Sequence, residues 1–86
     1  MELKVINEEK NLIEIEIPST TIAEIMRVYL HKDSGVEFAA WRREHPTKPI
    51  LLRVETKGKT SKKAIEDAVN LIMKEADSFV ADLKKL

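Results

Sequence analysis

The C-terminal segment from Thr60 to Leu86 constrains the fold most, because it contains neither glycine nor proline. Its apolar residues alternate at spacings of four and three positions, as along one face of a coiled-coil helix: Ile65, Val69, Ile72, Ala76, Phe79, Leu83 and Leu86. A helix over the whole segment would be about 40 Å long at about 1.5 Å per residue. A sheet of short strands is narrower than this, so we expect another surface to cover the last turns.

The N-terminal part of the chain predicts a first β-hairpin. In LIEIEI (12–17), three isoleucines alternate with two glutamates and a leucine. That alternation is typical of a strand with one buried and one solvated face. A shorter alternation around Leu3 and Val5 precedes it, and the polar stretch NEEKN (7–11) predicts the turn between the two strands.

Residues 36–55 predict a second hairpin. The connection is HPTKP (45–49), since the residue before a proline prefers extended geometry and proline does not suit a central strand. Ile50, Leu52 and Val54 alternate in the strand that follows it. In the strand before it, we expect Val36, Phe38 and Ala40 on one face, and an outer face made by Glu37, Ala39, Trp41 and Arg43.

Between the hairpins, TIAEIMRVYL (21–30) predicts a helix. Thr21 and Glu24 fit a capping box, in which each side chain satisfies a free backbone amide of the other residue. Gly35 is expected to follow the helix as its left-handed cap. The apolar residues occupy the i, i+3, i+4, i+7 and i+8 positions of one helix face: Ile22, Ile25, Met26, Tyr29 and Leu30.

The resulting order, β-β-α-β-β-α, predicts an α+β fold with a four-stranded antiparallel sheet, two helices on one face and a long C-terminal helix. The sequence shows no repeat and no linker, so we predict a single domain over residues 1–86. A chain of this length buries only about 60% of its extended surface. An obligate partner would add to such a modest core.

Charge and cysteine content exclude several classes of function. Fifteen Lys and Arg residues balance fifteen Asp and Glu residues, whereas modules that bind duplex DNA usually carry a basic excess. The chain has no cysteine, which removes disulfides, thiolate catalysis and cysteine-based zinc sites. No apolar run approaches the roughly 18 residues of a membrane helix, and residues 1–10 lack a signal-peptide core. We therefore expect a cytoplasmic protein that does not contact a membrane.

The residue types that perform chemistry are not grouped in this sequence. GKT (58–60) imitates the end of a phosphate-binding loop, but Arg53 stands where the earlier glycine is needed. His31 and His45 are far apart and lack further zinc ligands, and Glu14 and Glu16 share a solvated strand face. We predict no catalytic, cofactor-binding or metal-binding residue.

Two residues near the second hairpin have alternative interpretations. His45 is either a turn residue that caps a strand end or a contact to a partner subunit, and nothing nearby is placed to orient its ring for proton transfer. Trp41 is either a surface residue packed on its neighbours' aliphatic stems or an anchor for another protein, because tryptophan is enriched in interface hot spots.

GVEFAAWRREHP (35–46) resembles a segment of the archaeal RNA polymerase subunit L family, in which a glycine or aspartate precedes V-x-F-A, an aromatic residue and HP. Residues 1–17 are similar to that family's first hairpin. Residues 55–72 are similar to its threonine, glycine, short polar turn and alanine-rich start of the last helix. The resemblance covers essentially the whole chain, in order. The family is the counterpart of the small alpha-like subunit of eukaryotic RNA polymerases.

The resemblance implies the fold of the dimerisation domain of an alpha subunit and a non-catalytic role in DNA-directed RNA polymerase, the nucleotidyltransferase complex of transcription. Members of the family pair with the larger, alpha-like D subunit of the polymerase, and this heterodimer is the assembly platform for the large catalytic subunits. No cofactor is implied, and DNA is met only through the complex. We expect the partner interface to be made by helix residues, with Trp41 as a further candidate: Ile25, Tyr29, Trp41, Ile72, Phe79 and Leu83.

The start of the first helix departs from the family pattern. The family's Asp-His-Thr-Leu-Gly-Asn-Leu-Leu-Arg corresponds to residues 19–27, where Thr20 and Glu24 replace the His and the Asn, while Thr21 and Arg27 are kept. This departure motivates an alternative, a stand-alone homodimeric interaction or regulatory module on the same fold. The third hypothesis is a small enzyme or ligand-binding protein, which would require a pocket with convergent polar groups.

Overall fold

The computed structural model describes residues 3–86. Four antiparallel strands form one sheet in the order β1-β2-β4-β3, and their bounds are β1 (Lys4–Glu9), β2 (Leu12–Ile17), β3 (Val36–Arg42) and β4 (Ile50–Thr56). Two helices pack on one face, α1 (Thr20–His31) and α2 (Ser61–Leu83). The predicted α+β fold is confirmed. We call the sheet face under the helices the helix side and the opposite face the outer face.

The two central strands, β2 and β4, supply most of the core. Ile13, Ile15 and Ile17 lie opposite Val54, Leu52 and Ile50, and all six side chains are buried on the helix side. On the outer face, Glu14 lies opposite Arg53, whose Nη1 is 3.3 Å from the Glu14 Oε2. The apolar and charged faces that alternate in the sequence are therefore the two faces of the sheet.

The two helices contribute small buried surfaces. Ala23, Met26 and Leu30 are the buried residues of α1, and Ser61, Ala64 and Ala68 are those of α2. The alanines let the α2 backbone lie close to its neighbours, because a methyl side chain occupies little space between the packed elements. Burial of all these apolar groups drives the association of the helices with the sheet.

From Phe38 onward, the faces of β3 are the reverse of the prediction, whereas Val36 packs against the core. The strand pairing shifts between Val36 and Phe38, and beyond this irregularity Ala39 lies opposite Val54 and Trp41 opposite Leu52, both on the helix side. Phe38 is exposed on the outer face. The prediction was wrong because both faces of this strand carry apolar residues, so the alternation does not say which face is buried. The larger indole fills the space beneath α1, and the bulge re-aims the side chains.

Both predicted caps of α1 are also wrong. The N-cap is Ser19, whose Oγ accepts a hydrogen bond from the Ile22 N–H at 3.3 Å, as a serine at this position commonly does. The helix ends at His31, and its C-cap Lys32 has ordinary right-handed geometry. Gly35 does not have a positive φ, whereas Gly58 does, with φ of 85°. The turn of Gly58, between β4 and α2, is therefore the place where glycine is needed for its backbone freedom.

The start of α2 is fixed to the turn between β1 and β2. The Ser61 N–H and Oγ–H donate to the carbonyl oxygens of Lys10 and Glu9, each at 2.7 Å. Thr60 is the N-cap, and its Oγ1 accepts from the Lys63 N–H at 3.1 Å. The GKT sequence is therefore a turn that enters a helix, as predicted.

A partly buried ion cluster fixes the same end of α2 to the loop before β3. Lys59 Nζ lies 2.6 Å from Asp33 Oδ2 and 2.6 Å from Asp67 Oδ2. These hydrogen bonds raise the pKa of Lys59, that to Asp33 most, and the ammonium lowers the pKa of both Asp33 and Asp67. A Cβ added at Gly35 would collide with the Lys59 stem. One lysine thus holds three chain segments together.

We predict that Lys59→Ala lowers the free energy of unfolding by about 1 kcal/mol near neutral pH, as expected for a charge-assisted cluster that is partly exposed. The wild-type advantage is lost as pH falls through the lowered pKa values of Asp33 and Asp67, and again as pH rises through the raised pKa of Lys59. Urea unfolding from about pH 2 to 12 measures this difference. Lys57→Ala, in the same turn, is the control. Equal effects of the two substitutions would contradict the role given to Lys59.

Candidate partner-binding surface

The helix α2 changes its environment along its length. Its first half packs on the sheet and on α1, and Leu71 and Ile72 are half-buried. From Met73 to Leu86 every residue is exposed. The cause is geometric: 23 helical residues span about 35 Å, whereas the seven residues of β4 span about 23 Å. The second half of α2 therefore extends beyond the domain that holds its first half.

The exposed half of α2 is not polar. Phe79 is 64% exposed and Leu83 is 49% exposed. Helical geometry brings these two residues to one face of α2, together with their apolar neighbours. We call this set the exposed stripe: Met73, Phe79, Val80 and Leu83. A contiguous apolar surface of this kind on a small domain indicates a site of protein–protein contact.

An apolar cleft continues the exposed stripe toward the sheet. It is an open space of about 250 Å³ between the first turns of α1, the middle of α2 and the helix side of β2. No polar group lines it. The lining residues are Leu3, Ile15, Ile17, Ile22, Ile25, Met26, Leu52, Ile65, Val69, Ile72 and Met73.

A polar junction lies where α2 leaves the domain. Lys32 Nζ is 4.5 Å from the centre of the Tyr29 ring and 3.9 Å from Glu75 Oε1. The nearby Glu75 carboxylate raises the pKa of Tyr29. The last turn of α1 is thus joined to α2 near the start of the exposed stripe.

The structure places four of the six predicted interface residues on one continuous surface. Ile25 and Ile72 line the apolar cleft, and Phe79 and Leu83 belong to the exposed stripe. Tyr29 lies beside them, half-buried against the core and Glu75. Trp41 lies elsewhere. It packs against the core on the side of α1 that faces β3, so the outer-face location predicted for it is wrong.

Sequence reasoning missed several apolar residues of the same surface. Leu3 precedes β1, and its place in the cleft depends on the strand order, which the sequence does not give. In the sequence, Met73 and Val80 lie beside the apolar series of the last helix and widen that stripe. Their exposure could not be predicted, because a helix pattern alone does not say which edge of a wide stripe packs on its own domain.

Glu24 braces α1 against β3. Its Oε1 accepts from the Trp41 Nε1–H at 3.0 Å, and both carboxylate oxygens accept from the Arg27 guanidinium at 2.7 Å. The bonds from Arg27 and then from Trp41 lower the pKa of Glu24 from 4.5 to about 2. Further along the helix, the His31 Nε2–H donates to the carbonyl oxygen of Ala39 at 2.9 Å. These contacts hold α1 along the free edge of β3.

Neither histidine is placed for chemistry. His31 is engaged with β3, and His45 Nδ1 accepts from the Thr47 N–H at 3.3 Å, within the loop between β3 and β4. This contact fits the interpretation of His45 as a turn residue. Within residues 3–86 the structure shows no group of three side chains that could hold a metal ion. The two helices described are also too short or too polar to cross a bilayer.

We predict that the Trp41 indole N–H signal in NMR spectra keeps its chemical shift as the pH falls past 4.5 and moves with a midpoint near pH 2, the pKa of Glu24. The folded pKa is depressed, so the carboxylate stays charged and bonded until the pH approaches that value. Trp41 is the single tryptophan, so the signal is unambiguous. Glu24→Gln, which cannot titrate, should remove the transition. Circular dichroism over the same range separates titration from unfolding, and a midpoint near 4.5 would contradict the brace.

Comparison with known proteins gives this surface a context. A sequence profile described as the RNA polymerase Rpb3/Rpb11 dimerisation domain matches residues 11–81. The DNA-directed RNA polymerase subunit Rpo11 of Sulfolobus acidocaldarius is 36% identical over 90 aligned positions that cover 100% of both chains. The Rpo11 of Thermococcus sibiricus is 37% identical over 83 positions, covering 88% of this chain and 86% of the relative.

A solved structure has the same fold. The crystal structure of DNA-directed RNA polymerase subunit L from Thermoplasma acidophilum superposes with a TM-score of 0.86 at 26% sequence identity, over 98% of this chain and 86% of that chain. The profile match covers most of the elements that form the apolar cleft and the exposed stripe. The chain belongs to the RNA polymerase Rpb3/Rpb11 dimerisation domain family.

Proposed function

We propose that this chain is a small subunit of an archaeal DNA-directed RNA polymerase and that it pairs with the larger, alpha-like D subunit, called the alpha-like partner below. The heterodimer is the platform on which the large catalytic subunits assemble. The chain itself contributes surface and no catalytic residue, acts in the cytoplasm, and meets DNA only as part of the complex. The observation that carries this proposal is the second half of α2, which projects from the domain with an apolar face and no cover of its own.

The chemistry of the surface favours a protein partner over a nucleic acid or a small polar ligand. Phosphate recognition requires clustered positive charge, whereas the cleft is lined by apolar side chains alone. A pocket for a polar substrate needs a few convergent polar groups, and the apolar cleft offers none. Obligate subunit interfaces, in contrast, resemble a hydrophobic core cut in two. The family's description as a dimerisation domain supports the same conclusion.

The departure at Glu24 fits this function. It had suggested a different role, because the family has an asparagine at this position. In the structure the Glu24 carboxylate bonds Trp41 and Arg27 of its own chain, on the side of α1 away from the apolar cleft. The replacement therefore has a role within the fold. It supplies no separate reason to expect a stand-alone homodimer.

The direct experiment is size-exclusion chromatography with light scattering, on the chain alone and mixed with the alpha-like partner from the same organism. We expect a one-to-one heterodimer with a higher thermal midpoint than either chain alone, because binding to the folded state stabilises it. A stable homodimer that stays separate from the alpha-like partner would overturn the proposal and favour the alternative module.

We predict that Phe79→Asp weakens binding to the alpha-like partner at least about tenfold, because a buried charge would replace an aromatic anchor at the interface. The matched control is Ser78→Asp, which adds the same charge one residue earlier, about 100° around the helix and away from the exposed stripe. Both residues are exposed in the isolated chain, so both variants should fold with little change in stability. Equal binding by the two variants would show that the second half of α2 lies outside the interface.

A further inference from the structure

The strand β1 has an uncovered apolar face. Leu3 lines the apolar cleft together with Ile15 and Ile17, and Val5 lies opposite Ile15 on the helix side of the sheet. Leu3 is 57% exposed and Val5 is 49% exposed. The helix α2 is bonded to this hairpin at its turn, through Ser61. Beyond that turn, β1 extends past the area that the two helices cover.

The exposed stripe alone supplies about half the area of one side of a standard interface. Its four side chains, each about half exposed, supply on the order of 400 Å² if a large apolar side chain offers about 200 Å². One side of a standard interface buries about 800 Å². Five further exposed apolar residues, three on the helices and two at the start of β1, would bring the area to about this value: Ile25, Val28, Val69, Leu3 and Val5. Two of these five belong to the β1 end of the sheet.

The polarity of the apolar cleft determines what kind of segment fits it. A strand or loop would bring backbone N–H and C=O groups into a space that offers no hydrogen-bond partner, and each such group would lose its bonds to water. A helix satisfies its backbone groups internally and presents only side chains. The occupant with matching chemistry is therefore an amphipathic helix that lays its apolar face into the cleft.

We infer that the partner interface extends beyond the two helices onto the helix side of β1, where Leu3 and Val5 form one wall around an apolar helix of the other polypeptide. This inference rests on the proposed function, which identifies that polypeptide as the alpha-like partner. The inference adds the strand β1 to the partner interface and specifies which face of β1 makes the contact. The edge of β1 and its outer face remain outside the interface.

The chain offers a matched pair of residues for the test. Val5 is 49% exposed and Ile6 is 47% exposed, in the same strand. The pairing shifts between Val5 and Asn7, and Ile6 lies on the outer face beside Glu16 and Leu51. Val5→Asp and Ile6→Asp therefore place one charge at equally exposed positions on opposite faces. Val5→Thr, which nearly keeps the shape, provides a milder polar change.

Calorimetric titration of each variant with the alpha-like partner measures the effect, after circular dichroism shows that the variants are folded. We expect Val5→Asp to weaken binding at least about tenfold, Val5→Thr to weaken it less, and Ile6→Asp to bind within about threefold of wild type. If the wild-type chain binds the alpha-like partner but Val5→Asp and Ile6→Asp bind it equally well, the inference is overturned and the heterodimer stands. Failure of the wild-type chain to bind the alpha-like partner would overturn the proposed function, and the inference with it.

Discussion

Ala64 and Ala68 pack the first half of α2 onto the domain, and most of the structure depends on this contact. The two alanines are buried. Ile65 and Val69, which directly follow them in the sequence, are larger and are only partly buried or exposed. The helix therefore uses one edge of its apolar surface for its own core. The rest of its apolar surface, and the whole of its second half, stay available for a partner. A single helix thus stabilises the domain and presents a surface to a partner.

Polar contacts keep that surface in a defined geometry. The Lys59 cluster fixes the start of α2, and the junction of Tyr29, Lys32 and Glu75 fixes the point where α2 leaves the domain. Glu24 fixes α1 from the other side, through a bond to the β3 indole. Each contact is partly exposed and contributes modestly to stability. The junction joins the two helices directly, whereas the other two contacts hold each helix to β3 or to the loop before it.

The sequence predicted the elements better than their contacts. The alternation in β2 and β4 gave the correct buried face because charged residues mark the other side, and the absence of glycine and proline gave the length of α2. The faces of β3 could not be predicted, since Phe38 and Trp41 are both apolar and a bulge precedes them. The capping box failed because Glu24, which fits its pattern, bonds Trp41 and Arg27 instead.

The candidate interface also contains some residues that the sequence predicts and others that only the structure places. Sequence periodicity found Phe79 and Leu83, because a long helix without glycine or proline leaves a readable stripe. Leu3 and Val5 required the whole strand order, since the predicted hairpin pairs β1 with β2 but only the structure places β1 at the edge of the apolar cleft. The sequence pattern therefore does not predict contacts between distant parts of the chain.

We propose that the second half of α2, which is uncovered in the single chain, becomes buried in the heterodimer. Hydrogen exchange of backbone amides tests it directly, with the chain alone and with the alpha-like partner present. In the free chain, residues 76–83 should exchange much faster than β2 and β4, because their side chains are exposed and β2 and β4 form the core of the sheet. Binding should slow exchange in 76–83 at least about tenfold while the central strands change little. Slow exchange of 76–83 in the free monomer, or no change on adding the alpha-like partner, would contradict the account.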